Sequence, residues 1–378
     1  MIVGIDASRN RSGGAAAYLI GILTEGNPVE YGISEIHVWG PKLLLNTIPN
    51  YSWLVKHSPA ELDQSLTKQL LWQARQLTQK ANAVGCDIIF TTDASTLCRF
   101  KPMVVLSQDM LSYEPGVMSY FGLSKQRLRL ILILLLQNRA FRFADGVIFL
   151  THYAATVIQK SCGRLNYVAY IPHGVGSDFK QIKHNKPWPR DGKREISCLY
   201  VSNAAMYKHQ WVVVRAIELL RKRGHNLTLT LIGGGNGHAQ LLLDQQILKS
   251  DPKQEFVRQI DFVLQKELPG YLANSDLFVF ASSCENMPIT LIEAMAVGLP
   301  IACSNRGPMP EVLGDGGVYF DPKDADSIAE AIEQIIQSSE LRLSIANCAN
   351  ALSQQYNWKR CADETLAFIA ETYRRTKI

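Results

Sequence analysis

Short apolar runs of strand length, each followed by a helical pattern, recur along this chain, stop once at a polar break and then start again. The first series is Ile2 to Ile5, Ile33 to Val38, Asp87 to Thr91, Met103 to Leu106, Gly146 to Leu150 and Tyr167 to Ile171. Between them lie stretches with helical spacing, such as Ala60 to Val84. Short, mainly apolar runs of this kind suit strands, and the helices between them supply the crossovers that parallel strands need. The chain therefore reads as α/β, with a doubly wound parallel sheet.

The break falls at His184-Asn-Lys-Pro-Trp-Pro-Arg-Asp-Gly192, where prolines, charges and a glycine mark a linker. Afterwards the alternation resumes: strand Ser197 to Val201, helix Gln210 to Arg223, strand Leu227 to Ile232, a glycine-rich turn Gly233 to Gly237, strand Leu277 to Phe280, helix Leu291 to Val297 and strand Ile301 to Ser304. With 378 residues, each half is long enough to bury its own core. Two Rossmann-like domains in tandem are expected, residues 1–183 and 184–358. Ligands of such sheets sit beyond the carboxyl ends of the strands, so a substrate is expected in a cleft between the domains.

Composition removes several alternatives. Apolar content of 47% with 19% charged residues suits a globular enzyme and argues against long disorder. The eight cysteines are scattered without a C-x-x-C pair, so neither a zinc site nor a disulfide frame is expected. Met1-Ile-Val-Gly-Ile5 runs straight into Asp6 and does not read as a signal peptide, so a cytoplasmic protein is expected. Residues 1–185 hold 18 Lys and Arg against 12 Asp and Glu, a net +6, whereas the remainder holds 21 against 22, a net −1. A basic first half suggests an anionic partner there, either a phosphorylated acceptor or an anionic lipid surface. No basic run interleaved with aromatics appears, so nucleic acid is not expected.

The run Lys125-Gln-Arg-Leu-Arg-Leu-Ile-Leu-Ile-Leu-Leu-Leu136 is far shorter in its apolar part than the ~20 residues of a membrane span. It reads first as a helix buried in the N-terminal domain with snorkelling arginines. The alternative is a helix lying on an anionic membrane surface, with Lys125, Arg127 and Arg129 before the apolar part and Arg139 and Arg142 after it.

The stretch Ser282-Ser-Cys-Glu-Asn-Met-Pro-Ile-Thr-Leu-Ile-Glu-Ala-Met295 places Glu285 just before a helical pattern and Glu293 inside it. A helix starting over Asn286, Met287, Pro288, Ile289 and Thr290 tolerates the proline, because early helical amides have no internal partner. Those amides and the positive end of the dipole suit a diphosphate. Taken alone, Glu285 reads as a helix-start acid and Glu293 as part of a solvated face.

The pieces together resemble the retaining glycosyltransferases of family 4 (glycosyltransferase group 1), which have the GT-B fold. The resemblance rests on Gly13-Gly14 after the first strand, Gln108-Asp109, Ile171-Pro-His-Gly174, Lys208, Glu285 with Glu293 followed by Ala294-Met295 and Gly298-Leu-Pro300, and the tail Tyr356-Asn-Trp358. It covers nearly the whole chain. It implies that Glu285 holds the donor hexose, Glu293 the ribose hydroxyls of the nucleotide and Lys208 the leaving diphosphate. It implies that Gly13 and Gly14 admit the phosphate and sugar to the backbone, that His173 shapes the turn between domains, and that Phe262 and Val263 lie in a loop contacting the nucleobase. Asn203 stands where the family commonly has an arginine, so one of two phosphate cations is missing. Gln108 stands in place of a usual histidine, which excludes a histidine base there. Asp109 either orients the acceptor hydroxyl or caps the next helix.

The implied activity is transfer of a hexose, glucose from UDP-glucose first, to a saccharide acceptor that is lipid-linked, in envelope polysaccharide synthesis. No cofactor and no metal are expected, and a helix over 359–378 is expected to pack back on the first domain. A nucleotide-sugar 2-epimerase of the same fold, a GDP-mannose-dependent mannosyltransferase and a non-catalytic two-lobed binder of sugars or nucleotides are the rival readings.

Overall fold

The computed structural model describes residues 1–10, 13–182, 184, 186–189 and 194–377. Ser12, expected in the first glycine-rich turn, and Asn185 and Arg190 to Gly192, expected in the linker, lie outside the described residues. The chain divides into two compact units, Met1–Gly174 with Asn357–Ile378, and Val175–Tyr356.

The first unit is built on seven parallel strands: β1 (Ile2–Asp6), β2 (Glu35–Trp39), β3 (Leu54–His57), β4 (Ile88–Thr91), β5 (Met103–Leu106), β6 (Gly146–Phe149) and β7 (Val168–Tyr170). Their order is β3-β2-β1-β4-β5-β6-β7. The central strands are buried along their full length in β4, β5 and β6, which is why they carry Ile, Val, Phe and Leu without polar alternation. The helix Trp358–Arg375 follows the second unit in sequence but belongs to this one and packs on the helix Gly13–Glu25. The contact is tight: a Cβ on Gly21 would come within 2.3 Å of the Trp358 ring. Tyr18 and Thr365 share a buried hydroxyl–hydroxyl hydrogen bond of 2.8 Å.

The second unit has six parallel strands: β8 (Ile196–Val201), β9 (Leu227–Ile232), β10 (Val257–Ile260), β11 (Leu277–Phe280), β12 (Ile301–Ser304) and β13 (Val318–Phe320). The order is β10-β9-β8-β11-β12-β13. In each sheet the winding direction reverses once, between β1 and β4 and between β8 and β11, and loops diverge at such a point to leave room for a ligand. The units part after Gly174 and after Tyr356, where the sequence suggested 183 and 358. The helix Ser177–Gln181 packs on the helix Ile289–Val297, and the Val175 amide donates to the Tyr356 carbonyl at 3.3 Å, so residues 175–182 side with the second unit.

Two expectations need correction. Ala60 to Val84 is not one helix: a 3-10 turn Ala60–Asp63 is followed by an α-helix Leu66–Trp72, a π turn Gln73–Leu77 and a second α-helix Thr78–Ala83. The buried Gln73 side chain in the π turn donates to Asp6 Oδ2 at 2.6 Å, a long-range bond that the sequence spacing alone does not reveal. The helix Lys125–Phe143 does form and buries Leu130, but it leaves much of its apolar stretch outside the core: Leu128, Leu132 and Leu135 are each more than half exposed.

Candidate functional site

In the second unit the switch point brings two loops together. β8 and β11 are neighbours, so the segments leaving their carboxyl ends run side by side. The Ser283 amide donates to the Tyr207 carbonyl at 2.8 Å, and the His209 ring bonds the Ser283 hydroxyl at 2.9 Å. The Tyr200 hydroxyl donates to the Lys208 carbonyl at 2.7 Å, pinning the 3-10 turn Met206–Lys208. His209 is held at φ 50°, a left-handed conformation uncommon outside glycine. This stitching places Lys208 Nζ in an ion pair with Glu285 Oε1, both largely buried. The two residues are 77 apart in sequence.

Directly after Glu285 the chain enters the helix Ile289–Val297, with Pro288 at its N-cap and no side-chain cap hydrogen bond. Pro288 thus precedes the helix, rather than lying in its first turn as the sequence suggested. The first turn contains no acid and Pro288 has no hydroxyl or carboxylate to offer the early amides, so this end keeps an unneutralised positive pole beside the Lys208–Glu285 pair. Asn286 and Met287 are buried in the approach, and the Thr290 hydroxyl donates to the Val201 carbonyl at 3.3 Å.

A cavity of about 190 Å³ opens at the carboxyl ends of β8 and β9, lined among others by Asn203, Gly233, Asp261, Phe262, Gln265 and Thr290. Val263 also lines it. Gly233, at φ 114°, passes so close to the β8 end that a Cβ would sit 2.3 Å from the Ser202 carbonyl oxygen, so only glycine allows this wall. Phe262 is 75% exposed, an apolar ring presented at the cavity rather than packed in the core.

Glu293, one turn along the helix from Thr290, is 4% exposed. It lies in the interior, not on a solvated face. Gln265 Nε2 donates to its Oε1 at 2.7 Å. Burial pushes its carboxyl up to about 8, against that single stabilising hydrogen bond. Sequence reading named neither Gln265 nor His209, and neither carries a local signal, since each acts through a partner distant in the chain.

A larger cavity, about 370 Å³, lies under the helix Leu268–Asn274 among Ser197, Thr230, Glu267 and Tyr271. No lysine or arginine lines it, and Glu267 is engaged in accepting the Leu264 amide at 3.1 Å, so nothing there would hold an anion.

The remaining candidate residues belong to the first unit. Gly13 opens the helix Gly13–Glu25 at φ 64°, with Gly14 next to it. Asp109 Oδ1 accepts the Leu111 amide at 3.0 Å, closing a local turn, and burial raises its carboxyl above the usual value. The neighbouring Gln108 has a buried Nε2 with no hydrogen-bond partner. His173 is 2% exposed and packs against Tyr18 and Trp358, with ring centroids 5.1 and 5.7 Å away. Neither ring nitrogen has a partner and burial drives the imidazole down to about 3, so it is neutral at physiological pH. Ahead of Gly13, the buried Asp6 accepts from the Ser8 amide at 3.1 Å and from Gln73, which ties down the residues directly after β1. Sequence reading gave Asp6 no role, because its partner Gln73 lies in the π turn.

Residues 181–351 match the family described as Glycosyl transferases group 1. The O-antigen chain mannosyltransferase B of Escherichia coli is 28% identical over 168 residues, 44% of this chain and 44% of that protein. A GDP-mannose-dependent alpha-(1-6)-phosphatidylinositol monomannoside mannosyltransferase of Mycobacterium tuberculosis is 24% identical over 60% of this chain and 63% of its own length. The matched stretch thus spans less than two thirds of either curated relative. In three dimensions the chain is similar over its full length to the sucrose-phosphate synthase of Thermosynechococcus elongatus, with a TM-score of 0.75 at 18% identity, covering 99% of that chain. Anabaena HepE in complex with UDP-glucose superimposes over 100% of this chain and 99% of its own, with a TM-score of 0.67 at 19% identity. At those identities the structural likeness speaks for the fold alone. The seven- and six-stranded parallel sheets and these neighbours give the chain the GT-B fold, and residues 181–351 are where it matches the Glycosyl transferases group 1 family.

Proposed function

We propose that the protein is a retaining hexosyltransferase that moves a hexose from a nucleotide-diphosphate sugar to a hydroxyl of a saccharide acceptor. The observation that carries this reading is the Lys208–Glu285 pair beside the uncapped start of the helix Ile289–Val297. Lys208 Nζ has three donors and gives one to Glu285, which leaves donors for a diphosphate. Glu285 is placed to accept hydrogen bonds from the vicinal hydroxyls of the hexose. The base and ribose are assigned to the cavity walled by Asn203, Phe262, Val263 and Gln265, with Glu293 taking the ribose hydroxyls. Asn203 can donate a hydrogen bond to a phosphate but adds no charge there.

Charge developing on the departing diphosphate would be met by Lys208 and by the positive end of the helix Ile289–Val297, preorganised before the bond breaks. Those groups supply the positive charge otherwise given by a metal ion, so a metal-independent reaction without a cofactor is proposed. No side chain is assigned as nucleophile, and the rate would rest on positioning and electrostatics. In the first unit Gly13, Gly14 and His173 are assigned to the donor side. Gln108 and Asp109 are assigned to the acceptor, a lipid-linked saccharide of envelope polysaccharide synthesis.

UDP-glucose is the donor of first choice, in keeping with the Anabaena neighbour crystallised with it. GDP-mannose is the second reading, favoured by the names of the curated mannosyltransferase relatives. Melting temperature separates the two, because a ligand at 100 times its Kd stabilises the native state by about 2.7 kcal/mol. A shift with UDP and UDP-glucose but not with GDP and GDP-mannose supports the first choice, and the reverse supports the second. Donor turnover by Glu285→Ala equal to that of the parent protein would remove the transferase reading altogether. Appearance of an epimerised donor without acceptor would replace it with the epimerase.

Among the described residues no helix is long and apolar enough to cross a membrane. A cytoplasmic protein in peripheral contact with an anionic membrane, through the basic first unit, is proposed to meet the lipid-linked acceptor.

A further inference from the structure

We infer that the outer face of the helix Lys125–Phe143 is the surface that docks on an anionic lipid bilayer. The inference rests on the peripheral contact proposed above and names the residues that make it.

This helix buries Leu130, Ala140 and Phe141 but turns a row of its other apolar side chains outward. Its buried side also includes Gln137 and Asn138, held by hydrogen bonds. Gln137 Nε2 donates to Ser95 Oγ at 3.1 Å, Asn138 Nδ2 donates to Ser161 Oγ at 3.0 Å, and the Tyr113 hydroxyl donates to Asn138 Oδ1 at 3.0 Å. The outward side carries Leu128, Ile131, Leu132 and Leu135, exposed by 58, 38, 54 and 57%. Their spacing of three, one and three residues puts them on one stripe of an α-helix. Leu123, fully exposed just before the N-cap Ser124, extends the apolar surface beyond the helix. Single exposed leucines need no explanation, but a contiguous row facing water while amides face the protein interior does.

Charge identifies the occupant. The helix holds five bases, Lys125, Arg127, Arg129, Arg139 and Arg142, and no Asp or Glu. Among the described residues none of these five makes an ion pair with a carboxylate. On the helical wheel Lys125 and Arg129 border the leucine stripe, and Arg139 continues it one turn after Leu135. A second copy of the chain would bring five bases against five bases, a juxtaposition that costs energy. A bilayer bearing anionic headgroups accepts both parts at once, with leucines in the headgroup–acyl boundary and bases at the phosphates.

The test is flotation of the full-length chain with vesicles of phosphatidylcholine alone and of phosphatidylcholine mixed equally with phosphatidylglycerol. Two variants accompany it: the triple Leu128→Ser/Leu132→Ser/Leu135→Ser and the double Arg129→Gln/Arg139→Gln. The parent protein is expected to bind the mixed vesicles and not the neutral ones, with each variant on the order of tenfold or more weaker. All replaced side chains are exposed, so unchanged melting temperatures are expected; should the triple variant unfold, the double variant decides. Failure of the parent protein to bind mixed vesicles sinks the peripheral contact and this surface with it. Binding by both variants at parental strength leaves the contact standing and overturns this surface. Concentration-dependent dimerisation abolished by the triple variant, without vesicle binding, would make the stripe an interface between copies. The melting shift with nucleotide, read on the same samples, reports separately on the donor site.

Discussion

Asp276 and Glu293 are both buried carboxylates of the second unit, one just before β11 and one in the helix that follows it, yet their surroundings are opposite. Asp276 is bound by the two terminal guanidinium nitrogens of Arg194, at 2.8 and 2.9 Å, by Lys186 at 3.2 Å, and by the Ser197 amide and hydroxyl at 2.8 and 2.7 Å. Burial alone would push its carboxyl up, but these partners hold it below the usual range. Glu293 has Gln265, and burial wins. The first acid is finished by the protein; the second is left with capacity for further donors. An acid kept out of water with only one hydrogen-bond donor is a candidate for a group whose partners are completed by a ligand.

The two carboxylates give stability opposite slopes with pH. Asp276, depressed below 3.8, contributes stability that is present above that value and is lost as acid protonates it. Glu293, raised from 4.5 to about 8, contributes stability that is full below 4.5 and is lost as pH climbs toward 8. A ligand whose hydroxyls donate to Glu293 favours its ionised form, so binding at neutral pH should release a proton.

The largest expected effect is that of Lys208→Ala, which should lower kcat by roughly 10²–10³, about 3–4 kcal/mol of transition-state stabilisation. Transfer assays under saturating donor would check it, and a variant with unchanged kcat removes the lysine from the chemistry. Next is Asp276→Ala, which should cost about 3 kcal/mol of folding stability by stranding Arg194 and Lys186, at the low end for a buried pair because both cations reach solvent. Urea unfolding reads this; turnover per folded molecule should stay at the parental level, and a large fall in it would erase the contrast between the two acids. Glu293→Gln should weaken nucleotide binding by about tenfold, roughly the worth of one hydrogen bond to a charged group. The same variant should flatten the fall in melting temperature between pH 5 and 8, and a slope unchanged from the parent protein would mean that Glu293 does not titrate there. The smallest is Asn203→Arg, which should tighten nucleoside diphosphate binding by at most about 1 kcal/mol, as exposed charge pairs do. Calorimetric titration at two salt concentrations would show whether that gain is electrostatic.

Much of this architecture could be read from residues alone, and the exceptions share a cause. Met103–Leu106, Leu227–Ile232 and Ile301–Ser304 are strands as expected, and all lie inside their sheets. The strands that escaped notice, β3, β10 and β13, all lie at sheet edges. Lys56, His57, Arg258 and Gln259 interrupt the apolar pattern in two of them because an edge strand is only partly covered. The helical spacing of Leu66 to Leu77 hid the π turn, since Gln73 answers to Asp6, 67 residues away. At the site, the order of Glu285 and Glu293 could be read by resemblance, but the ion pair with Lys208 depends on which strands are neighbours. The leucines of Lys125–Phe143 misled for a related reason: hydrophobicity says that a face avoids water, not whether protein or lipid covers it.

The helix Trp358–Arg375 has a consequence for biosynthesis. A ribosome making this chain emits the whole second unit before it emits the segment that covers the Gly13–Glu25 helix, so the 175–356 sheet can complete itself while the nascent first unit still exposes Tyr18 and Gly21. Any stop codon placed shortly after residue 356 should therefore damage the earliest-made half of the molecule and spare the half made just before it.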